Sequence, residues 1–141
     1  SCTAHAVDLT RESEVQALWD RCGASVDLLI NNAGAVPGGS LEEVDAATRR
    51  AAWDLKVFGY INLMRATYAD MAIRGQGVIV NVLGTAGREV PGRYVAGVSG
   101  NAALAALTGA LGGVSLDVGV RIVGVSPGDV INQRGILFLR R

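Results

Sequence analysis

The sequence predicts an α/β fold with a parallel sheet, because short apolar runs alternate with longer stretches of helical periodicity. Three runs, Val26–Ile30, Val78–Val82 and Arg121–Val125, are largely apolar, which is typical of strands buried on both faces of a sheet. Strands and helices that alternate at this spacing form consecutive βαβ units, with right-handed crossovers. We therefore expect a single domain over residues 1–141, with helices on both faces of the sheet and three layers in all.

A further short strand is predicted near the start of the sequence, at Ala4–Val7, and it ends at Asp8. Thr10 is the predicted N-cap of the helix that follows. Glu12 and Glu14 fall in the first turn of that helix, where carboxylates interact favourably with the positive end of the helix dipole.

The middle of the sequence predicts one long helical region, from residue 41 to about residue 73, with a break near residues 45–47. Ser40 and Glu43 have the spacing of a capping box, in which the hydroxyl and the carboxylate each bond to an unpaired amide. Gly75 can end this region. A last long helix is predicted at Ala96–Leu116, where a face of Ala and Gly residues permits close contact between helices.

Composition excludes several classes of function. The chain has 141 residues, 13 basic and 13 acidic side chains and a pI near 6.5, which argues against a nucleic-acid binder or a polybasic membrane binder. Its longest apolar runs are far shorter than the roughly 20 residues of a membrane helix. Cys2, Cys22 and His5 are the only cysteines and the only histidine, so we expect no metal site. No segment at the start of the sequence has signal-peptide character, which predicts a cytoplasmic location.

Five short motifs occur in the order and at the spacing found in one family of enzymes. They are Val7-Asp8-Leu9, Asn31-Asn32-Ala33-Gly34, Gly77-Val78-Ile79-Val80-Asn81-Val82, Asn101-Ala102-Ala103-Leu104 and Val123-Gly124-Val125-Ser126-Pro127-Gly128. With these motifs the chain resembles the short-chain dehydrogenase/reductase family over nearly its whole length. The resemblance implies a Rossmann-like doubly wound sheet that binds NAD or NADP, hydride transfer to or from a small carbonyl or alcohol substrate, and a homo-oligomer.

The resemblance also implies which residues bind the cofactor. Asp8 would bond the adenine amino group, a central segment would lie against the adenosine ribose, and a third group would flank the nicotinamide. The ribose segment is Asn32, Ala33 and Gly34, and the nicotinamide group is Pro127, Gly128 and Val130. The alternatives are that Asp8 caps a turn and that Asn31 and Asn32 close the end of a strand through backbone hydrogen bonds.

The sequence departs from the family in what precedes Asp8. Family members begin with a strand and a glycine-rich turn that places the pyrophosphate at a helix N-terminus, and no G-x-x-x-G-x-G precedes Asp8 here. The predicted Rossmann-like sheet is therefore incomplete and lacks the first βαβ unit. Because an open apolar strand edge invites pairing with other chains, we expect either a polypeptide longer than 141 residues or an edge filled by another chain.

A second departure concerns the residues that carry catalysis in the family, which are Asn, Ser, Tyr and Lys. Alignment on the motifs places Lys56, Gly84, Gly97 and Asn101 at these four positions, in that order. All four residues differ from the family's. Glycine has no side chain that can transfer a proton, so the family's usual arrangement cannot operate here.

A relocated catalytic site is one hypothesis. Tyr94 precedes Gly97 by about one turn, and the space left by Gly84 and Gly97 could admit its ring. Lys56 would enter the same pocket and favour the phenolate, while Asn101 would hold the ribose. The alternatives are that Tyr94 is a half-buried loop residue and Lys56 extends to solvent. The protein would then be a non-catalytic nucleotide-binding or subunit-binding homologue, or an inactive fragment.

Overall fold

The computed structural model describes residues 2–85 and 92–127, which form four α-helices and three β-strands. In chain order these are α1 (Glu12–Cys22), β1 (Leu28–Asn31), α2 (Ala46–Trp53), α3 (Gly59–Arg74), β2 (Gly77–Val82), α4 (Val95–Ser115) and β3 (Val120–Val125). A π-helical segment, Asp54–Phe58, joins α2 to α3 without a break, and short 3₁₀ turns follow α1 and α4.

The three strands form one parallel sheet in the order β1-β2-β3. Asn31 pairs with Asn81 across the first ladder, and Val82 pairs with Val125 across the second, so the strands end at nearly the same level. Every strand therefore points its carboxyl end to one edge of the sheet. The predicted Rossmann-like α/β fold with a parallel sheet is confirmed.

Both crossover helices lie on one face of this sheet. Ile79 at the centre of β2 is fully buried and packs in a cluster with Tyr60 and Met71 of α3 and Leu104 of α4. Since the strand order advances in a single direction, two right-handed crossovers must return over the same face. Helices would cover both faces only if the strand order reversed, and it does not reverse within the described residues.

The opposite face of the sheet is apolar and open. Leu28 and Ile30 of β1 are 52% and 57% exposed, and Val123 and Val125 of β3 are 37% and 47% exposed. Register places these side chains on the face that α3 and α4 do not contact. The prediction that strand residues are buried on both faces is therefore wrong for the outer strands of the described sheet.

The predicted strand at Ala4–Val7 is also wrong. Residues 2–7 have no regular secondary structure, and no described strand lies beyond β1 to pair with them. The helix predicted next does form, but Thr10 is not its N-cap, since α1 begins at Glu12 after Arg11. Thr10 instead donates to Asp8 through its backbone amide and its hydroxyl.

The capping box forms as predicted, although it does not start a helix. Ser40 N donates to Glu43 Oε2 at 2.8 Å, and Glu43 N donates to Ser40 Oγ at 3.3 Å. Residues 41–44 form a turn and not a helix. Helix α2 begins at Ala46 because Asp45 accepts from Thr48 N at 2.9 Å and is the true N-cap. The expected break near residues 45–47 is the boundary between this turn and α2.

The predicted bounds of β2, β3 and α4 hold to within one residue, whereas β1 begins two residues later than predicted, at Leu28. Gly75, with φ of +70°, ends α3 in the left-handed conformation that glycine adopts most readily. Residues 95–118, which comprise α4 and the 3₁₀ turn after it, are by length and composition apolar enough to cross a membrane. In this fold α4 packs on β3 and contributes Leu104 to the core.

Candidate functional site

The segments that follow the three strands lie together, and we call this side of the sheet the carboxyl edge. It comprises residues 32–34 after β1, residues 83–84 after β2 and residues 126–127 after β3. Leu83 N donates to Val125 O at 2.7 Å and so extends the pairing of β2 with β3 one residue beyond the strand. In open α/β sheets, ligands bind at this edge.

A buried amide network supports the carboxyl edge from the helical face. Asn31 Nδ2 donates to Asn81 Oδ1 at 2.8 Å, and Asn81 Nδ2 donates to Thr108 Oγ1 at 2.9 Å. Thr108 in turn donates to the carbonyl of Leu104 at 2.6 Å. These bonds tie β1, β2 and α4 to one another. The network was not predicted from the sequence, although the asparagines at matching positions of two apolar strands were a signal of it.

Lys56 lies at the β1 end of the carboxyl edge. It belongs to the π-helical segment, and its ammonium is 5.9 Å from the centroid of the Tyr60 ring. A β-carbon placed on Gly34 would be 3.3 Å from Lys56 Cδ and 3.7 Å from Nζ, so the side chain passes directly over this glycine. The half-buried lysine is thereby held beside the segment expected to meet the ribose.

Tyr60, which sequence reasoning missed, is the buried aromatic residue under Lys56. Its hydroxyl donates to the carbonyl of Val82 at 3.1 Å, at the end of β2. Burial raises the pKa of the Tyr60 phenol to about 12, because the anion would lose its hydration. Tyr60 therefore stays protonated near neutral pH and acts as a structural hydrogen-bond donor.

Asn101 lies at the β2 end of the carboxyl edge and fills the space beside Gly84. The side chain is buried, and its Oδ1 accepts from Gly84 N at 3.1 Å. A β-carbon on Gly84 would overlap the Asn101 amide group. Gly84 stands at the family's serine position, and no larger residue fits there while the Asn101 side chain lies beside it.

The ring of Tyr94 fills the space beside Gly97 in the same way. A β-carbon on Gly97 would overlap the ring, which lies against the first turn of α4. Tyr94 also forms a parallel bridge with Gly39 and packs against a small cluster that contains Val36 and Ala52. It is thus a half-buried residue fixed between α4 and the segment after β1. Gly97 and Asn101 are one turn apart on α4, so Tyr94 and Asn101 lie at the same end of this helix.

Asp8 is placed differently from the other predicted site residues. Its carboxylate accepts from Thr10 N at 3.0 Å and from Thr10 Oγ1 at 2.7 Å, and it pairs with Arg11 at 3.4 Å. The hydrogen bonds from Thr10 hold the pKa of Asp8 below its usual value. These contacts match the alternative in which Asp8 closes a turn. Both bonds from Thr10 go to Oδ1, so a ligand would have to reach Oδ2, the oxygen that faces Arg11.

The other predicted cofactor residues that the structure describes lie at or next to the carboxyl edge. Asn32 and Gly34 are exposed there, while Ala33 is half-buried and packs against the core. Pro127 is exposed just after β3. The two other residues predicted to flank the nicotinamide, Gly128 and Val130, lie outside the described residues.

The fold and the shared carboxyl edge define a Rossmann-like α/β protein of the kind that binds ligands at the ends of its strands. The particular family follows from the sequence. The family model described as short chain dehydrogenase matches residues 1–133, so the chain belongs to the short-chain dehydrogenase family.

Individual relatives agree with this assignment. An uncharacterized oxidoreductase of Thermotoga maritima is 39% identical over 104 residues, which cover 73% of this chain and 41% of that protein. The 7alpha-hydroxysteroid dehydrogenase of Escherichia coli K12 is 30% identical over 134 residues, covering 89% of this chain and 50% of that protein. The chain therefore spans about half the length of the curated relatives it matches.

A solved structure shows the same fold. The structure titled "ElxO with NADP Bound" superposes with a TM-score of 0.90 at 22% identity, over 98% of this chain and 57% of that one. At this level of identity the likeness establishes the fold alone.

Proposed function

We propose that this chain is part of an NAD(P)-dependent oxidoreductase that transfers hydride to or from a small carbonyl or alcohol substrate. The observation that carries the proposal is the carboxyl edge, where the ends of three parallel strands meet beside Lys56, Asn101 and Gly34. Family membership supports the proposal.

The residues at this edge fit a dinucleotide. Gly34 is exposed, and the Lys56 side chain covers the side on which a β-carbon would stand, so a ribose here would meet the Gly34 backbone and Lys56 together. The ammonium of Lys56, just beside it, complements anionic or hydroxyl oxygens. Asn32 and Ala33 would line the adenosine ribose and Asp8 would accept from the adenine amino group. The nicotinamide would lie against Pro127, Gly128 and Val130, and its ring supplies or accepts the hydride.

In the proposed mechanism Tyr94 is the proton donor and acceptor for the substrate oxygen. Gly97 stands at the family's tyrosine position and has no side chain, and the Tyr94 ring occupies the space beside it. An ammonium near a phenol lowers the pKa of the phenol, and we assign this role to Lys56. Because Asn101 Oδ1 is engaged with Gly84 N, the amide Nδ2 would donate to the ribose.

Turnover in matched variants tests the mechanism. Oxidation of NADH and NADPH is followed at 340 nm with a panel of aldehydes and ketones, for the unchanged chain and for Tyr94→Phe and Lys56→Met. We expect Tyr94→Phe to lower kcat by about 100-fold or more, since positioned acid–base groups contribute that much. Lys56→Met should move the pH profile to higher pH, because the phenol loses its neighbouring cation.

The control is Tyr68→Phe, which changes a half-buried tyrosine on α3 that packs against the core. It should leave kcat and the pH profile unchanged. Turnover that is the same in Tyr94→Phe, Lys56→Met and the unchanged chain would refute the assigned roles.

A second candidate function is a non-catalytic nucleotide-binding or subunit-binding homologue. It is favoured by the two glycines at the family's serine and tyrosine positions, Gly84 and Gly97, which have no side chains for chemistry. This candidate predicts saturable binding of NADH or NADPH with no turnover of any substrate, so the same assays separate the two functions.

We also propose a cytoplasmic homo-oligomer. On α4 the side chains of Ala102, Ala105, Ala106 and Ala110 are exposed, and such small residues allow a second helix to approach closely. Sedimentation velocity should show a dimer or larger species that dissociates in Ala106→Glu.

A further inference from the structure

A cleft lies next to the proposed catalytic groups and has no role in the mechanism so far. It opens between the segment after β1 and helix α2 and has a volume of about 540 Å³. This volume is within the range of small-molecule sites, roughly 300–1,000 Å³. One wall is residues 35–37, and the other is one face of α2 and the following segment, which presents Thr48, Ala51, Ala52 and Leu55 at helical spacing.

The lining of this cleft is apolar. Among the described residues that form it, none carries a charge, and Thr48 alone has a polar side chain. The Thr48 hydroxyl already donates to Asp45 Oδ2 at 2.7 Å. The cleft therefore offers methyl and methylene groups to a ligand and little that could replace the hydration of a hydroxylated or charged one.

The cleft shares its walls with the groups assigned to catalysis. Val36 and Ala52, which line it, also belong to the cluster against which the Tyr94 ring packs. At the other end, Leu55 of the lining directly precedes Lys56. A molecule seated in the cleft would thus contact Val36 and Ala52, the residues that pack against the Tyr94 ring.

We infer that this cleft holds the apolar body of the substrate and that the substrate class is an aliphatic or alicyclic ketone or secondary alcohol without further polar groups. The inference rests on the proposed function for the identity of the reacting group. The binding of an apolar body in the cleft follows from its lining alone. The inference excludes polyols and sugars as good substrates.

Binding is measured directly on the 141-residue chain by amide chemical shifts in ¹⁵N-labelled protein, with no cofactor present. The probes are 2-octanone and, at the same concentrations, xylitol. We expect saturable shifts at the amides of Ala51, Ala52 and Leu55 with 2-octanone and none with xylitol. No saturable shift with 2-octanone, or equal shifts with xylitol, would overturn the inference.

A matched pair of variants locates the site. Ala51 is exposed at the cleft, so Ala51→Phe fills it without disturbing the core, while Ala69→Phe makes the same change at an exposed position of α3. Ala51→Phe should weaken 2-octanone binding at least tenfold, and Ala69→Phe should leave it unchanged. Equal affinities in the two variants would contradict the inference. If the probe binds as expected but no ketone is ever reduced, the proposed function fails while the apolar site stands.

Discussion

At the scale of single residues, the site is shaped by side chains that occupy the space beside glycines. Asn101 fills the space at Gly84, and Tyr94 fills the space at Gly97. Neither glycine has a positive φ, so backbone conformation does not require them. They are required because their neighbours lie where a β-carbon would be. Each glycine is therefore coupled to one polar or aromatic partner.

The contact between Gly97 and the Tyr94 ring is tested by adding a methyl group at residue 97. Gly97→Ala should lower the free energy of unfolding by about 1–3 kcal/mol, because the Tyr94 ring must move from its place, as in other overpacked sites. Urea denaturation monitored by circular dichroism measures the change.

The control is Gly109→Ala on the same helix, where a β-carbon would meet nothing within 4 Å. Alanine is the better helix former by up to about 1 kcal/mol, so this variant should be as stable as the parent or more so. Equal destabilisation by the two substitutions would show that Tyr94 does not lie on Gly97.

Tyr60 gives a prediction at alkaline pH. Burial raises its pKa to about 12 in the folded protein, above the ordinary phenol value of 10.0, so the unfolded chain loses this proton first as pH rises. The stability associated with Tyr60 is complete below pH 10 and is lost as pH rises toward 12, by up to about 3 kcal/mol in all.

Urea titrations at pH 9 and pH 11 compare the parent with Tyr60→Phe. The variant should be less stable at pH 9, since it lacks the hydrogen bond to Val82 O, and its stability should fall less between the two pH values. An identical fall in both proteins would mean that the Tyr60 phenol titrates normally.

At the scale of elements, the sequence predicted the helices and strands that follow from local apolar periodicity. It did not predict features that depend on contacts with other elements. The strands β2 and β3 and the helix α4 were predicted to within a residue or so, because their apolar runs and their glycine signals are local. The strand at Ala4–Val7 failed because a strand needs a partner, and no described element provides one. The π-helical segment Asp54–Phe58 leaves no mark in the apolar pattern, so its effect on Lys56 could not be foreseen.

The buried network between elements is tested with an isosteric substitution. Thr108→Val removes the acceptor of Asn81 Nδ2 and leaves that buried donor without its oxygen, at a cost of about 1–3 kcal/mol. Thr67→Val is the control, since the buried Thr67 hydroxyl bonds only to carbonyls of its own helix.

Thermal and urea unfolding should show a clearly larger loss of stability for Thr108→Val than for Thr67→Val. If the two losses are the same, the network does not hold β2 to α4.

At the scale of the whole molecule, the main feature is the apolar face of the sheet that no described helix covers. Leu28 and Ile30 of β1 are exposed on the same face as Val123 and Val125 of β3. An apolar surface of this kind promotes association. We expect the 141-residue chain to bind a hydrophobic dye and to associate in a concentration-dependent way. Ile30→Lys should reduce both effects.

Ile73→Lys is the matched control for this prediction. Ile73 is 86% exposed but lies at the end of α3, away from the open face. Light scattering that falls equally in both variants, or in neither, would show that the open face does not cause the association.

The location of the candidate site could be predicted from the sequence, but most of its side-chain contacts could not. Motifs at the ends of strands indicated the carboxyl edge, since parallel strands end on one side of a sheet. The Tyr94 ring does lie beside Gly97, as counting residues along the helix suggested, but the space at Gly84 that was also offered to it holds the Asn101 amide. The roles of Tyr60 and Asn81 depend on side chains brought together from separate elements, and a single sequence records no such distances.

The most direct test of the account is where a dinucleotide touches this chain. Amide shifts of ¹⁵N-labelled protein are followed during titration with NADPH and with NADH. We expect saturable changes at the amides of Asn32, Gly34 and Gly84, on the carboxyl edge of the sheet. Changes confined to Gly77 and Val120 at the opposite edge, or no saturable change at millimolar cofactor, would contradict it.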